Sequence, residues 1–149
     1  MKANELMIGD WIAIDEPDRY AGATGQIKSL QYHQEGDAAY FHVFIQGKFG
    51  YVLREVCSDD IRPIPLTPEI LEKNGFRKSV SPPGIHARCY ELDNKKDRYN
   101  LTIADYNKYK RLLLDIDSED SECFNIKCDY VHQLQQALRL CGIKKTIEL

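Results

Sequence analysis

The residues best suited to metal or nucleophilic chemistry lie towards the end of the chain. Cys123, Cys128 and His132 are spaced C-x4-C-x3-H, and Cys141 follows nine residues after the histidine. Thiolate and imidazole groups are common zinc ligands, but structural zinc sites usually pair their cysteines as C-x2-C. Since this spacing differs, we expect core and surface side chains here and predict neither a metal nor a cofactor.

Other patterns that would support catalysis or ligand binding are incomplete. The chain has five cysteines and four histidines, but no cysteine lies in a glycine-rich elbow that would mark a nucleophile. The acidic run Asp115-x-Asp117-x-Glu119 lacks the glycine and the final glutamate of a calcium-binding loop. The sequence also contains no glycine-rich phosphate-binding motif. These features favour a protein that is not an enzyme.

One group of side chains suits binding. Aromatic and basic residues alternate in and after a predicted turn, at Tyr106, Lys108, Tyr109, Lys110 and Arg111. This mixture suits a protein interface or a stacking patch for nucleic acid. We therefore predict these residues as the binding site. The alternative is that Tyr109 packs into a sheet while the lysines are solvated.

Composition and charge narrow the class of protein. The 149 residues carry a net charge of −3, which gives no general attraction to nucleic acid or to anionic membranes. No apolar run approaches the roughly 20 residues needed to span a bilayer, and the first residues lack the features of a signal peptide. An odd number of scattered cysteines is typical of free thiols in a reducing compartment. We expect a cytoplasmic protein.

The stretch 62–76 organises the chain. Thr67 is suited to cap a helix that starts with Pro68, because its hydroxyl can accept a bond from an unpaired backbone N–H group. Gly75 can end that helix in the left-handed conformation, with Phe76 folding back onto Leu71. The sequence therefore predicts a short helix over about 68–74, preceded by an extended proline segment.

Residues 1–65 are predicted to form a β subdomain. Short apolar runs alternate with glycine-rich and acidic turns, which predicts strands near 7–14, 26–32, 40–45, 49–53 and 61–64. Gly22 and Gly25 are expected to frame a tight turn. Four or five short strands in this length suggest a small curled barrel.

The opening of this subdomain is similar to an SH3-like barrel of the KOW type. The resemblance lies in Gly9-Asp10-Trp11-Ile12, followed by Gly22 and Gly25-Gln26-Ile27, and it covers about 25 residues. It implies contact with RNA or ribosomal partners through basic loops. Here the first strand and loop instead carry several acidic residues against Arg19 alone, namely Asp10, Asp15, Glu16 and Asp18. Because phosphate contacts dominate nucleic-acid affinity, this departure disfavours RNA binding.

Residues 66–149 are predicted to form an α+β subdomain. Alternating segments between about 86 and 128 predict an antiparallel meander of about four strands. Val131, Leu134, Leu138 and Cys141 form an apolar stripe, which predicts a second helix over about 130–141. Asp129 is its expected N-cap, and Gly142 its expected end. The predicted fold is thus an SH3-like barrel packed on a meander with two helices.

Two longer runs resemble an uncharacterised group of small proteins from gut anaerobic bacteria. They are residues 63–76, PIPLTPEILEKNGF, and residues 130–143, YVHQLQQALRLCGI. The resemblance implies kinship, with some members carried by phage or mobile elements, but it implies no particular chemistry and no functional residues.

Together these features predict a non-enzymatic cytoplasmic binding or adaptor protein with a protein partner. The alternative is an accessory protein associated with nucleic acid. An enzyme is the third hypothesis, and it requires a pocket with converging polar groups.

Overall fold

Two compact units make up the chain, Met1–Ile64 and Pro65–Leu149. The computed structural model describes residues 5–15, 22–35, 38–47, 53–81, 87–94, 99–106, 110–116 and 124–149. Within these ranges each unit is built on a five-stranded antiparallel sheet, and the second unit also carries two α-helices. The fold is therefore mixed α+β, as predicted.

The first unit is an all-antiparallel sheet with the strand order β4-β3-β2-β1-β5. A single 3₁₀ turn, Ser58–Asp60, joins its last two strands. The strands are β1 (Trp11–Ile14), β2 (Thr24–Glu35), β3 (Ala38–Gly47), β4 (Leu53–Cys57) and β5 (Ile61–Pro63). In the described residues β4 and β5 are the two edges and do not pair with each other, so the sheet does not close. The predicted SH3-like barrel is therefore not confirmed.

One face of this sheet forms the core of the first unit. Ile12, Ile27, Val43 and Ile61 are fully buried there, and Ile45 is nearly so. Alternation along each strand brings these side chains to the same face, as the period of two requires. A register shift between Ile27 and Ser29 marks a bulge in the pairing of β2 with β3.

The two glycines near the start of β2 do not frame one tight turn, as the sequence predicts, but have different roles. Gly22 has a φ of 79°, a left-handed conformation that favours glycine. Gly25 lies within β2, opposite Ile12 and Gly47. A Cβ atom there would lie 2.1 Å from Ile45 Cγ2 and 2.9 Å from the Gln46 carbonyl oxygen. Close packing, and not turn geometry, therefore requires glycine at position 25.

Asp10 is buried at the end of an exposed turn and does not contribute an exposed acidic charge. Its side chain is fully buried, and its Oδ2 accepts a hydrogen bond from the Met7 N–H at 2.9 Å. Gly9 N–H donates to the Ile27 carbonyl at 2.7 Å, which ties this turn to β2. Asp15 pairs with Arg62 at 2.8 Å. Glu16, Asp18 and Arg19 lie outside the described residues.

The second unit is a meander with the strand order β10-β9-β8-β7-β6. Its strands are β6 (Arg77–Ser79), β7 (Arg88–Asn94), β8 (Tyr99–Asp105), β9 (Lys110–Ile116) and β10 (Phe124–Lys127). The sequence did not predict β6, because its three residues are polar and partly or fully exposed. Pairing with β7 nevertheless holds them in an extended conformation.

The first helix, α1 (Pro68–Lys73), has the ends that its sequence predicts. Thr67 Oγ1 accepts a hydrogen bond from the Ile70 N–H at 3.4 Å. At the other end Gly75 has a φ of 82°, while Phe76 N–H donates to the Leu71 carbonyl at 3.0 Å. This is a Schellman ending, and Phe76 is buried beside it.

The second helix, α2 (Val131–Leu140), ends as predicted but is capped differently. Gly142 is left-handed, and Ile143 N–H donates to the Leu138 carbonyl at 2.8 Å. At the start, Gln133 Oε1 accepts bonds from the backbone N–H groups of Asp129 and Tyr130, at 2.8 and 3.2 Å. The N-cap is Tyr130. The prediction of Asp129 was wrong, because its carboxylate bonds to β9 and β10 instead.

A buried asparagine joins the end of the chain to α1. Asn74 Oδ1 accepts from the Glu148 N–H at 2.9 Å, and Asn74 Nδ2 donates to the Glu148 carbonyl at 2.8 Å. The neighbouring Ile147 is fully buried. An amide that binds both backbone groups of one residue acts as a short strand partner would, so the tail is held without forming a strand.

Candidate functional site

The residues considered for metal binding are not brought together as a site. Cys128 is fully buried just before α2, and His132 is buried within that helix, where its ring stacks on Tyr130 at 5.8 Å. Cys141 lies at the other end of the same helix, and Cys123 lies outside the described residues. Among the residues that the structure describes, no group of three His, Cys, Asp or Glu side chains could hold a metal ion.

The chemistry of Cys128 does not suit a nucleophile. Burial, and secondarily the neighbouring Asp129 carboxylate, raises the pKa of the Cys128 thiol to about 12. Burial also raises the pKa of Cys141. Because a reactive cysteine must be present as the thiolate, usually through a lowered pKa, both thiols are chemically quiet at neutral pH.

We expect Cys57 and Cys128 to differ in their reaction with thiol reagents. At about pH 8, Cys57 should react with a disulfide reagent in the native protein, because its side chain is exposed and the reagent can reach it. Cys128 should react only after unfolding, and a rise to about pH 10 should not change this in the native state. Mass spectrometry of the labelled peptides gives the measurement. Labelling of native Cys128 at the rate of Cys57 would contradict the assignment.

Two cations of the predicted aromatic and basic site lie on opposite faces of the second unit's sheet. Tyr106 directly follows β8, whereas Lys110 and Arg111 are the first residues of β9. Lys110 lies opposite Asp105 and Arg111 lies opposite Ala104. Consecutive residues in a strand point to opposite faces of a sheet, so the two cations are separated. Lys108 and Tyr109 lie outside the described residues.

Two carboxylates tie down the strand ends next to that predicted site. Asp129 Oδ1 accepts from the Lys110 N–H at 2.6 Å, and Asp129 Oδ2 pairs with Lys127 at 3.1 Å. Asp105 is buried and pairs with Arg88 at 3.0 Å. These contacts hold the end of the meander together, which is a structural role for residues that the sequence placed in and near a solvated turn.

A different surface, on the first unit, has the composition of an interface. We call it the outer face: the side of the β1-β2-β3 sheet opposite the core. Most of its described side chains are neutral, although Lys, Arg, Asp and Glu make up 29% of the chain. Its residues, all partly or fully exposed, are Trp11, Ala13, Thr24, Gln26, Ser29, Gln31, His33, His42, Phe44 and Gln46.

Register places these side chains on one face. Gln26 pairs with both Trp11 and Gln46, Ser29 pairs with Phe44, and Gln31 pairs with His42. Directly opposed residues in antiparallel strands point to the same side of the sheet. Charged residues are present too: register assigns Glu35, at the end of β2, and Glu55 on β4, opposite Phe44, to the same side of the sheet. Lys28 at the bulge donates to Gln26 Oε1 at 3.4 Å, and Arg62 on β5 lies opposite Ala13.

Two histidines of the outer face are in contact. The rings of His33 and His42 lie with their centroids 4.4 Å apart and their planes tilted by 40°. His42 also lies opposite Cys57 on β4. His33 and His42 are nine positions apart, and only the register of β2 with β3 brings them together. The sequence offered one partial signal: along β3, His42 and Phe44 alternate with the aliphatic Val43 and Ile45.

Comparison with known proteins gives no further information about these surfaces. No family model, no curated protein and no solved structure matches the chain. Among the described residues, neither helix has the length and apolar character needed to cross a membrane.

Proposed function

We propose that this chain is a non-enzymatic, cytoplasmic binding or adaptor protein that docks a protein partner on its outer face. The observation that carries the proposal is the mixture of aromatic and neutral polar side chains on that face around Trp11 and Phe44. The buried centres of protein interfaces are depleted in charged residues and enriched in aromatic ones, with polar groups at the rim. The described side chains of the outer face are mostly aromatic or neutral polar, with the charged Lys28 and Arg62 beside them.

The side chains of the outer face also indicate which groups a matching partner must present. Gln26, Gln31 and Gln46 offer both amide donors and carbonyl acceptors, and Trp11 and Phe44 offer apolar ring surface. A matching partner presents backbone or side-chain amides together with an apolar anchor. A nucleic acid is a poor match, because its affinity depends on Lys and Arg contacts to phosphate.

The proposal also includes the origin of the protein. The two long runs that resemble small proteins of gut anaerobic bacteria support a bacterial origin, with phage or mobile elements as possible carriers of the gene. We also infer a partly open SH3-like arrangement for the first unit. Its support is the strand order β5-β1-β2-β3-β4 together with the long, bulged β2, which pairs with both β1 and β3.

The test compares the wild-type chain with a variant whose outer face is charged. Gln26→Arg with Gln46→Arg introduces two further cations among the neutral side chains of the face, and desolvating them should abolish partner binding. The matched control is Gln136→Arg on α2, a glutamine of similar partial exposure. We expect capture from a lysate of the native host to recover a protein with the wild type and the control, and to lose it with the double variant.

The same protein variants also test the alternative, that the chain binds nucleic acid. Labelled single- and double-stranded DNA and RNA are titrated with the wild type at low salt. Salt-sensitive binding that increases with the two added arginines, combined with no protein recovered by the wild type, would replace the proposed function with the alternative. Circular dichroism of each variant shows that the compared proteins are folded.

A further inference from the structure

We propose that His33 and His42 form a two-imidazole binding site for a divalent metal ion of the nickel and copper class. Both side chains stand on the outer face, and their ring centroids are 4.4 Å apart. Imidazole is the protein ligand that suits these metals best among neutral side chains. The site lies on a single hairpin, β2 with β3, so its geometry is set within the first unit.

The ring separation can be compared with that of two imidazoles bound to one ion. With metal–nitrogen bonds of about 2.0 Å, two imidazoles at 90° around one ion have centroids about 4.5 Å apart, and two at the tetrahedral angle about 5.2 Å. The observed 4.4 Å matches the 90° arrangement. Square-planar and tetragonal geometries, which have 90° angles, are typical of Cu²⁺ and Ni²⁺, whereas zinc prefers the tetrahedron.

The tilt of the rings is compatible with one shared ion. A metal bound to an imidazole nitrogen lies near the plane of that ring, so an ion bound to both rings must lie near the line where the two planes meet. Planes inclined by 40° meet in such a line, whereas parallel stacked rings would not. The ion would be bound through His33 Nδ1 and His42 Nε2, because the other nitrogen of each ring, His33 Nε2 and His42 Nδ1, is buried.

The surroundings favour a borderline metal over a hard one. Both proposed ligands are imidazoles, whereas Ca²⁺ and Mg²⁺ require several oxygen ligands. No third ligating side chain is assembled with the pair in the described residues. Water therefore completes the coordination, and we expect modest affinity from two protein ligands. Cys57 lies opposite His42 but is not part of the proposed site.

The test uses the full chain without a histidine tag, titrated with NiCl₂ in a calorimeter. We expect one ion per chain, and a loss of affinity of at least about tenfold in both His33→Thr and His42→Thr, since each leaves only one half of a chelate. Threonine is chosen because it keeps strand propensity. Cys57→Ser should bind as the wild type does, and Zn²⁺ should bind no more tightly than Ni²⁺.

Amide spectra locate the ion independently of the affinity. Paramagnetic Ni²⁺ should broaden signals of β2 and β3 first and leave those of α2 unchanged. Nickel binding that survives both histidine substitutions, or Zn²⁺ bound at least tenfold more tightly than Ni²⁺, would overturn the assignment. Since Ni²⁺ binding requires no protein partner, failure here leaves the proposed function untouched, and failure of partner capture leaves this site untouched.

Discussion

Replacing Leu71 with alanine is expected to lower the free energy of unfolding of the second unit by about 2–5 kcal/mol. Leu71 is the fully buried residue of α1. A helix of six residues has little stability of its own, so its packing must hold it in place. The truncation removes apolar contacts but leaves the Leu71 carbonyl, which accepts bonds from Asn74 and Phe76.

The control for Leu71→Ala is the adjacent exposed position. Glu72→Ala has the same backbone setting and helix propensity close to that of alanine, and it should change stability by less than about 0.5 kcal/mol. Urea unfolding followed by hydrogen exchange, peptide by peptide, assigns the loss to residues of the second unit. Equal midpoints for the two variants would show that the helix does not stabilise this part of the fold.

Features governed by neighbouring residues were predictable from the sequence. The cap at Thr67, the left-handed Gly75 and the return of Phe76 depend only on residues within one or two turns of each other. The same holds for Gly142 at the end of α2. In these segments side-chain chemistry and backbone conformation point to one answer, so the helix ends could be inferred without a tertiary structure.

Features that depend on distant partners were missed or mistaken. Asp129 looks like an N-cap in sequence, but Lys110 and Lys127 compete for its carboxylate once β9 and β10 lie beside it. The polar β6 is a strand only because β7 pairs with it. The contact between His33 and His42 depends on a register that includes a bulge, and no local pattern encodes a bulge of this kind.

The same reasoning explains why the candidate site moved from one unit to the other. The sequence drew attention to concentrated charge and aromaticity around Tyr106 and Arg111, where strand alternation separates the cations. The outer face is made of residues from three strands, each contributing a few neutral side chains that look unremarkable in sequence. Its character is a predominance of neutral side chains on one face, which becomes visible only after the strands are aligned.

Replacing Gly25 with alanine is expected to destabilise the first unit by about 3 kcal/mol, the upper part of the usual range for overpacking. The added Cβ would overlap Ile45 Cγ2 and press on the Gln46 carbonyl. Ile45 is almost fully buried in the core, and the carbonyl belongs to the paired β3 strand. The overlap can therefore be relieved only by moving β2 away from β3. The fluorescence of Trp11, the single tryptophan, reports this unit during unfolding.

Gly22→Ala separates this effect from the general cost of losing a glycine. Gly22 is left-handed, and a Cβ there meets nothing in the described residues, so only the backbone penalty of about 1 kcal/mol should appear. A double-mutant cycle identifies the clashing partner. With Ile45→Ala, the further cost of Gly25→Ala should shrink, because Cγ2 is gone and neighbouring sites of this kind are not additive. If Gly25→Ala costs no more than Gly22→Ala, or costs the same in both backgrounds, close approach of β2 and β3 is not what requires glycine at position 25.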